Sequence, residues 1–279
     1  MAEQQQGRAS GTVVVAGLMA CICLGGTGCS DSGAAADNAH PADPVRTLQN
    51  AADALRDAGS SKARTSMEMA TGGTRVTIRG EGTYDYTRQR GRLKVLLPQD
   101  PAGEQEHRPI TELLAPGALY MKNRGAGVPA DKWVRVDTAT LSDGNLVTGG
   151  ATDPFAAAEV LRGARSAEYV GRTEIAGTEV SHYHGTADLA RAAQNASAGS
   201  KESLQAAAKG FATAEVPFDV YLDDQGRIRK VRHRFSFVNG HHRTPVAVSS
   251  TTLLYDFGAP VDVRLPPAEH IYAGRIAEE

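Results

Sequence analysis

Two histidines, His182 and His184, are the residues of this sequence whose spacing best suits a metal ion. On a β-strand, residues two apart point to the same side, so both imidazoles of SHYHG would face one way. A zinc site needs three or four ligands, and no third ligand can be placed beside this pair. We therefore predict histidines that face solvent, and no metal.

The other polar motifs also give no catalytic site. Asp223 and Asp224 precede Gly226 in LDDQGRIR, but the Glu that closes a calcium loop is missing, so this is a tight turn. His241-His242 reads as a hairpin tip, and His233 as a hydrogen-bonded core histidine. No G-x-S-x-G elbow, phosphate-binding glycine loop or H-E-x-x-H motif occurs. The prediction is a protein that is not an enzyme and has no cofactor.

All three cysteines lie within residues 18–33, and none follows. They follow and overlap an apolar run over residues 12–24, which is shorter than the ~20 residues that span a bilayer. Such a run after a polar start is typical of an export signal that is later removed. A cysteine after small residues at its end predicts a bacterial lipoprotein signal, in which the new N-terminal cysteine is acylated.

Two cysteines compete for acylation. Cys21 follows LMA, the better consensus, but the residues after it are still apolar. Cys29 follows GTG and precedes SDSGAAADNAHPADP, a small polar tether. Because a tether should begin where the lipid ends, we favour Cys29 and keep Cys21 as the alternative. The prediction is a signal peptide over residues 1–28, a tether over 29–43, one domain over 44–267 and a tail over 268–279.

Composition bounds the partners. Lys and Arg total 30 against 32 Asp and Glu, so the formal net charge is −2. The sequence shows no basic face with interleaved aromatic residues, so nucleic acid is not an expected partner.

Periodicity predicts the fold. Apolar residues at three- and four-residue steps indicate a helix after Asp43-Pro44, and a second helix begins at Asp153-Pro154. About eleven segments alternate between apolar and polar residues, as strands of an antiparallel meander do, with hairpin turns at Ala176-Gly177 and Asp224-Gln225-Gly226. An Ala-rich stretch over residues 189–213 should be helical in pieces. A sheet of that many strands curls, so the fold class is α+β: a curved, largely antiparallel half-barrel with helices across its concave face.

The apolar positions of three strands form the predicted wall of that concave face. They alternate with Arg, Lys and Thr, as in RVTIR and RLKVL. The residues are Val76, Ile78, Leu93, Val95, Val231, Phe235 and Phe237. Either these side chains line an apolar cavity, or they pack against the helices and leave none.

The chain resembles the LppX/LprG-type lipoproteins of actinobacteria over most of residues 44–267. The marks are YVGRTEIAGTEVSHYHGTADL, VPFDVYLDDQGRIRKV and YDFGAPVDVRLPP, in this order and spacing, after a lipoprotein signal. The resemblance implies a half-barrel similar to periplasmic lipoprotein carriers, with an apolar cavity for acyl chains and no catalytic residues. The Ala-rich insert and the connector over residues 141–150 depart from the family.

The expected function is that of a membrane-anchored, extracytoplasmic lipoprotein that binds the acyl chains of a lipid or lipoglycan for transport or presentation. Its expected partners are that lipid, the membrane through the N-terminal anchor, and as a candidate an envelope transporter; the chain is expected to be a monomer. Two alternatives stay open. One is an envelope sensor or interaction module with a solid core, and the other is a hydrolase with an unrecognised site.

Overall fold

A computed structural model describes residues 43–71, 74–98, 108–125, 127–149, 152–238 and 245–274. The predicted signal peptide, the tether, Cys21, Cys29 and the His241-His242 tip lie outside the described residues. The side chain of Phe237 also lies outside the described part, although its backbone belongs to a strand.

Within the described residues, eleven strands form one sheet, as the alternating segments predict. In chain order they are β1 (Ser60–Thr71), β2 (Thr74–Asp85), β3 (Arg90–Leu96), β4 (Ile110–Ala115), β5 (Ala118–Lys122), β6 (Val134–Asp137), β7 (Ala164–Ile175), β8 (Thr178–Asp188), β9 (Glu215–Leu222), β10 (Ile228–Val238) and β11 (Pro245–Tyr255).

The sheet is antiparallel and unclosed, in the order β6-β5-β4-β3-β2-β1-β11-β10-β9-β8-β7. Strand β11 pairs with β1, so the last strand joins the two halves of the meander. Register shifts in β7 and β10 insert extra residues, which bend a strand and increase its twist. The result is the predicted curved half-barrel.

Five helices accompany the sheet: α1 (Pro44–Gln49), α2 (Ala51–Asp57), α3 (Pro154–Val160), α4 (Leu189–Asn195) and α5 (Ala198–Gly210). Short 3-10 turns cover Thr138–Thr140, Leu161–Gly163 and Ala268–His270. The predicted first helix is two helices separated by Asn50, a residue of low helix propensity.

Capping residues fix where the two predicted helix starts lie. The side chain of Asp43 accepts a hydrogen bond from the Arg46 amide at 3.0 Å, and Pro44 needs no donor partner in the first turn. Asp153 repeats this before Pro154. The Ala-rich stretch forms α4 and α5, which confirms helix in pieces.

The helices contact one face of the sheet, which we call the inner face. Helix α3 contacts β10 and β11 near the middle of the sheet, α4 contacts β8, and α1 contacts β7. The buried apolar side chains of both layers form one core. Alanines are frequent among the buried residues of the helices, as in α3 and α4.

The predicted turns fall where expected. Ala176 and Gly177, between β7 and β8, both have positive φ, at 49° and 78°. Gly226 has φ 73° in the turn between β9 and β10, where Asp223 accepts hydrogen bonds from the amides of Gln225 and Arg227. The tight-turn interpretation of LDDQG is therefore correct.

After β11 the described residues form no further strand, and residues 270–272 lie against Trp133, just before β6. The backbone N–H of Trp133 donates to the carbonyl of His270 at 2.8 Å, and that of Tyr272 donates to Trp133. The first residues of the predicted tail are thus tied to the edge of the sheet. No helix in the described part of the chain is long and apolar enough to cross a bilayer.

Candidate functional site: the inner face of the sheet

The strand register places the predicted wall residues on the inner face. Val76 and Ile78 lie opposite Met69 and Met67 of β1, and Val95 lies opposite Gly80. On the other side of β1, Val231 lies opposite Thr252. The inner face also includes Leu93 and Phe235. The six described wall residues therefore share one face, whereas whether they contact a ligand stays a prediction.

The same residues are deeply buried. Ile78 is 7% exposed, and Leu93, Val95, Val231 and Phe235 are at most 3% exposed. Val76 is half-buried against the same core. The surface pockets that we measured are lined by other residues. In this conformation the described wall side chains pack against one another and against the helices.

Three aromatic rings join α3 to the strands. Phe155 of α3 packs against Tyr84 of β2 and Tyr86 just after it, with ring centroids 6.4 and 6.1 Å apart, and the two tyrosine rings are 5.1 Å apart. The hydroxyls of Tyr86 and Ser61 hydrogen-bond at 2.7 Å. Tyrosine is at home in such a core because its ring is apolar and its hydroxyl finds a partner.

Asp153 caps α3 at the edge of this aromatic cluster. Its Oδ1 accepts the amides of Phe155 at 2.7 Å and Ala156 at 3.2 Å, and its Oδ2 accepts the Tyr84 hydroxyl at 3.3 Å. Burial raises the pKa of Asp153 to about 6, although these hydrogen bonds favour the carboxylate.

One arginine ties the helical layer together. Arg162 donates to both oxygens of Asp53 in α2, at 2.9 and 2.6 Å, and to Oε1 of the buried Glu159 at 3.0 Å. The other oxygen of Glu159 accepts the backbone amide of Ser197, before α5, at 2.6 Å. The hydrogen bond from Arg162 is the main cause that lowers the pKa of Asp53. A bidentate pair of this kind fixes position as well as charge.

The polar connector over residues 141–150 covers part of the inner face. Its described residues turn around Asp143, whose carboxylate accepts the amides of Asn145, Val147 and Thr148. The turn buries Leu146 in the core. A segment that is polar by composition therefore supplies apolar cover, because the Asp143 carboxylate pairs with three of its backbone amides.

A polar patch interrupts the centre of the inner face. Thr65 lies opposite Thr252, and His233 lies opposite Ser250, on neighbouring strands. Ser250 shares a 2.5 Å hydrogen bond with Thr152. The hydroxyls of Thr65 and Thr252 and Nε2 of His233 have no hydrogen-bond partner among the described residues. The expected partner for His233 is therefore not found at Nε2.

Burial shifts the pKa of one histidine and one carboxyl group on the inner face, and in both it favours the neutral form. Burial lowers the pKa of His233 to about 3, so this imidazole is neutral. Burial raises the pKa of Glu112 to about 8, against the opposing effect of Arg124. Both oxygens of Glu112 lack a partner in the described part of the chain. The inner face thus excludes charge even where its side chains are ionisable.

The apolar lining reaches solvent at one end of the sheet. Met69, Val76 and Leu97 are half-buried and pack against the core at the ends of β1, β2 and β3. At the same end, Phe211 after α5 stacks on Phe235 with centroids 5.0 Å apart. We call Met69, Val76 and Leu97 the apolar rim.

The two strand histidines lie on the opposite, outer face. His182 stacks on Tyr221 at 4.2 Å and lies 3.3 Å from an oxygen of Asp219, and His184 lies 3.3 Å from Glu168. Within the described residues no group of three His, Cys, Asp or Glu is placed to hold a metal ion. The predicted orientation of both histidines toward one side is correct.

Sequence reasoning missed Glu112, Asp143 and the Arg162 cluster. Glu112 stands in ITELLAP, where a Glu between Thr and Leu reads as a solvent-facing strand position. The strand register explains why Glu112 is buried, since it lies opposite the buried Leu93. That register is not visible in the sequence. Arg162 follows the predicted helix, but its partner Asp53 is 109 residues away in sequence.

No protein-family profile and no curated protein matches this chain. Among solved structures, the lipoprotein LppX of Mycobacterium tuberculosis is similar at 11% identity and a TM-score of 0.44, covering 79% of this chain and 97% of LppX. LprF of Mycobacterium bovis has 14% identity and a TM-score of 0.44, covering 80% and 96%. A LolA superfamily protein of Nitrosomonas europaea has 11% identity and a TM-score of 0.34, covering 77% and 95%. At these identities the likeness concerns the fold alone, and the architecture rests on the strand order and register.

Proposed function

We propose that this chain is a membrane-anchored lipoprotein of the extracytoplasmic face that binds the acyl chains of a lipid or lipoglycan at the inner face of its sheet. It transports or presents that lipid and is not an enzyme. An envelope transporter is the candidate partner that delivers or accepts the cargo. The chain acts as a monomer, held by acylation at Cys29, with Cys21 as the alternative.

One observation carries the proposal: apart from its central polar patch the inner face of the unclosed sheet is mainly apolar, and its lining reaches solvent at the apolar rim. A buried methylene contributes ~0.8 kcal/mol, so a long acyl chain leaves a bilayer only for a comparably apolar site. Entry at the apolar rim would let the chain replace contacts between the sheet and the helices.

The polar patch suits a lipid that carries an ester or hydroxyl group. The hydroxyls of Thr65 and Thr252 can donate to a carbonyl oxygen, and Nε2 of the neutral His233 can donate or accept. Leaving such groups unpaired in an apolar interior costs about 1–3 kcal/mol each. A ligand that pairs them recovers this free energy.

A second function is favoured by the low exposure of the wall residues. Side chains packed as closely as Leu93, Val95 and Val231 suit a solid core, and the chain would then be an envelope sensor or protein-interaction module. In that case the inner face has a purely structural role. The two functions differ in whether the apolar rim admits an acyl chain.

The test is native mass spectrometry of the protein purified from an actinobacterial host, followed by organic extraction and titration with a fluorescent fatty acid. The Val76→Trp variant fills the half-buried rim, and Thr77→Trp adds the same ring to the outer face of the same strand. We expect co-purified lipid and fatty-acid binding in the wild type and in Thr77→Trp, with at least a tenfold loss in Val76→Trp. Thermal melts establish that both variants are folded.

Two outcomes would contradict the proposal. Bare protein that also ignores the fatty acid would favour the interaction module. Equal binding by Val76→Trp and Thr77→Trp would place the ligand elsewhere.

Anchoring is tested separately by intact mass. A mature chain that begins at Cys29 with added acyl mass, lost in Cys29→Ser and kept in Cys21→Ser, is the expected result. The reverse pattern would move the anchor to Cys21.

A further inference from the structure

The outer face of the five central strands β1, β2, β3, β10 and β11 is strongly basic. The register gives this face ten cationic side chains and only three carboxylates, although the whole chain has a formal net charge of −2. The cations are Lys62, Arg64, Arg75, Arg79, Arg90, Arg92, Lys94, Lys230, Arg232 and Arg234, and the carboxylates are Glu68, Glu81 and Asp85. The sequence alone does not reveal this basic face, because alternate residues of separate strands accumulate on one side only when the strands pair.

Most of these cations have no anionic partner. Lys62 pairs with Asp256 at 2.8 Å and Arg234 with Asp219 at 2.7 Å. The other eight have no carboxylate oxygen within 4 Å in the part of the chain that the structure describes. Unpaired cations on one face produce a positive potential that attracts anionic surfaces.

A groove lies in the middle of this face. It has a volume of about 390 Å³ and is bordered by three cations, Arg64, Arg79 and Lys94, and by one carboxylate, Glu81. Its apolar lining comes from Leu253 and from Leu96, which is 48% exposed. Among the described residues, Leu96 and Val170 are the large apolar side chains that are exposed. Leu96 lies among cations. Cations around an apolar floor match the phosphate and glycerol region of a bilayer, where charged headgroups cover the acyl chains.

We propose that this face docks on an anionic phospholipid membrane. Arg64, Arg79 and Lys94 contact lipid phosphates, and Leu96 enters the interface between headgroups and acyl chains. The inference goes beyond lipid binding at the inner face and does not depend on it, because the two faces use different residues of the same strands.

The aromatic residues of this face favour a membrane over nucleic acid. Single-stranded nucleic acid needs exposed rings on which bases stack. The ring of Tyr255 is covered by Arg64 at 5.2 Å, and the ring of Tyr221 is stacked against His182 at 4.2 Å. Leu96 offers no stacking surface to a base, whereas it suits a bilayer interface.

The experiment is vesicle co-sedimentation of the full chain with Cys21→Ser and Cys29→Ser, which cannot be acylated. Vesicles of pure phosphatidylcholine measure binding by the apolar leader, and vesicles with about 30 mol% phosphatidylglycerol add the anionic surface. The test variant is Arg64→Gln/Arg79→Gln/Lys94→Gln. The matched control, Arg191→Gln/Lys201→Gln/Lys209→Gln, removes three exposed cations from α4 and α5.

We expect the phosphatidylglycerol-dependent partition coefficient of the test variant to fall about 100-fold, since each cation near an anionic surface contributes about fivefold. The control should change less than about threefold, and about 0.5 M salt should abolish the dependence in the wild type. Leu96→Gln should weaken binding less than the triple variant does. The salt dependence of its remaining binding should equal that of the wild type. Thermal melts check that each variant is folded.

Three outcomes would overturn the proposal. Equal losses in the test and control variants would indicate attraction by net charge alone. Equal wild-type binding to both vesicle types would leave the face without a membrane role. Tighter binding to a single-stranded oligonucleotide than to the anionic vesicles, lost in the test variant, would assign the face to nucleic acid.

Discussion

The inner and outer faces of the sheet are built from alternate residues of the same strands, yet they have opposite properties. In β3, Leu93 and Val95 are buried in the core, whereas Arg92 and Lys94 are exposed cations. On the inner face even ionisable groups favour their neutral forms, as Glu112 and His233 show. On the outer face most cations have no anionic partner. Because side chains alternate along a strand, neighbouring residues lie on opposite faces, one apolar and one charged. Substitutions at neighbouring positions therefore test the two faces separately.

The largest contrast is expected between Leu93→Gln and Arg92→Gln. The first removes apolar burial and leaves an amide without partners in the core, so we expect a loss of about 5 kcal/mol in the free energy of unfolding. The second changes an exposed side chain and should alter that free energy by no more than about 0.5 kcal/mol. Urea denaturation of both variants measures the difference.

If Leu93→Gln does not fold, a milder substitution at the same position still allows the comparison. Leu93→Ala keeps the site apolar and should cost about 3 kcal/mol. Losses of similar size in Arg92→Gln and Leu93→Ala would contradict the assignment of the two faces.

The next effect concerns the helical layer over the inner face. Arg162→Met leaves Glu159 buried without its cation, and removing one partner of such a pair costs about 4 kcal/mol. We expect this loss in urea denaturation at neutral pH. Glu159→Gln in the same chain removes the uncompensated charge and should recover part of it.

An exposed pair provides the control for this cluster. Lys62→Met breaks an exposed ion pair with Asp256 on the outer face, which water screens, so the free energy of unfolding should stay close to that of the wild type. If Arg162→Met behaves like Lys62→Met, the arginine does not hold the helical layer.

The sequence predicted features that depend on neighbours along the chain. Asp-Pro pairs marked the starts of α1 and α3, and alternation identified the inner-face residues of β2, β3 and β10. The turns at Ala176-Gly177 and Asp224-Gln225-Gly226 were also predicted correctly, because glycine permits positive φ there. Curvature followed from the number of strands.

Features that depend on residues from distant segments were not predicted. The basic outer face arises only when the register aligns Arg64, Arg79 and Lys94, because each strand alone carries an ordinary number of charges. The Arg162–Asp53 pair requires α2 to contact the end of α3. The connector around Asp143 reads as a polar loop because composition does not reveal that its backbone amides bond to its own carboxylate. Whether packed wall residues separate to admit a ligand depends on small differences in packing, which a residue pattern does not record.

The inner face should also make stability depend on pH through Glu112. Its pKa is about 8 in the folded protein and near 4.5 in the unfolded chain, so the folded state binds more protons between these values. Stability therefore falls as pH rises from about 4.5 to 8. Glu112→Gln removes this dependence and should be more stable than the wild type by about 4 kcal/mol at pH 8, with no gain at pH 4. Melts at both pH values measure it, and an equal gain at pH 4 would show that the effect is not ionisation.

The smallest effect has the opposite sign and comes from His233. Its pKa is about 3 in the folded protein, below the 6.5 of the unfolded chain, so the unfolded state binds more protons between these values. Stability present above pH 6.5 is therefore lost as pH falls, by about 1 kcal/mol between pH 6.5 and 5.5. His233→Leu should lack this loss, whereas His184→Leu, on the outer face of β8, should retain it. Thermal melts of the wild type, His233→Leu and His184→Leu at pH 7 and 5.5 measure this loss. Equal acid sensitivity in His233→Leu and the wild type would mean that water reaches the His233 imidazole in the folded protein. An imidazole that water reaches at the centre of the inner face would in turn favour an interior that opens, which is the property that acyl-chain binding requires.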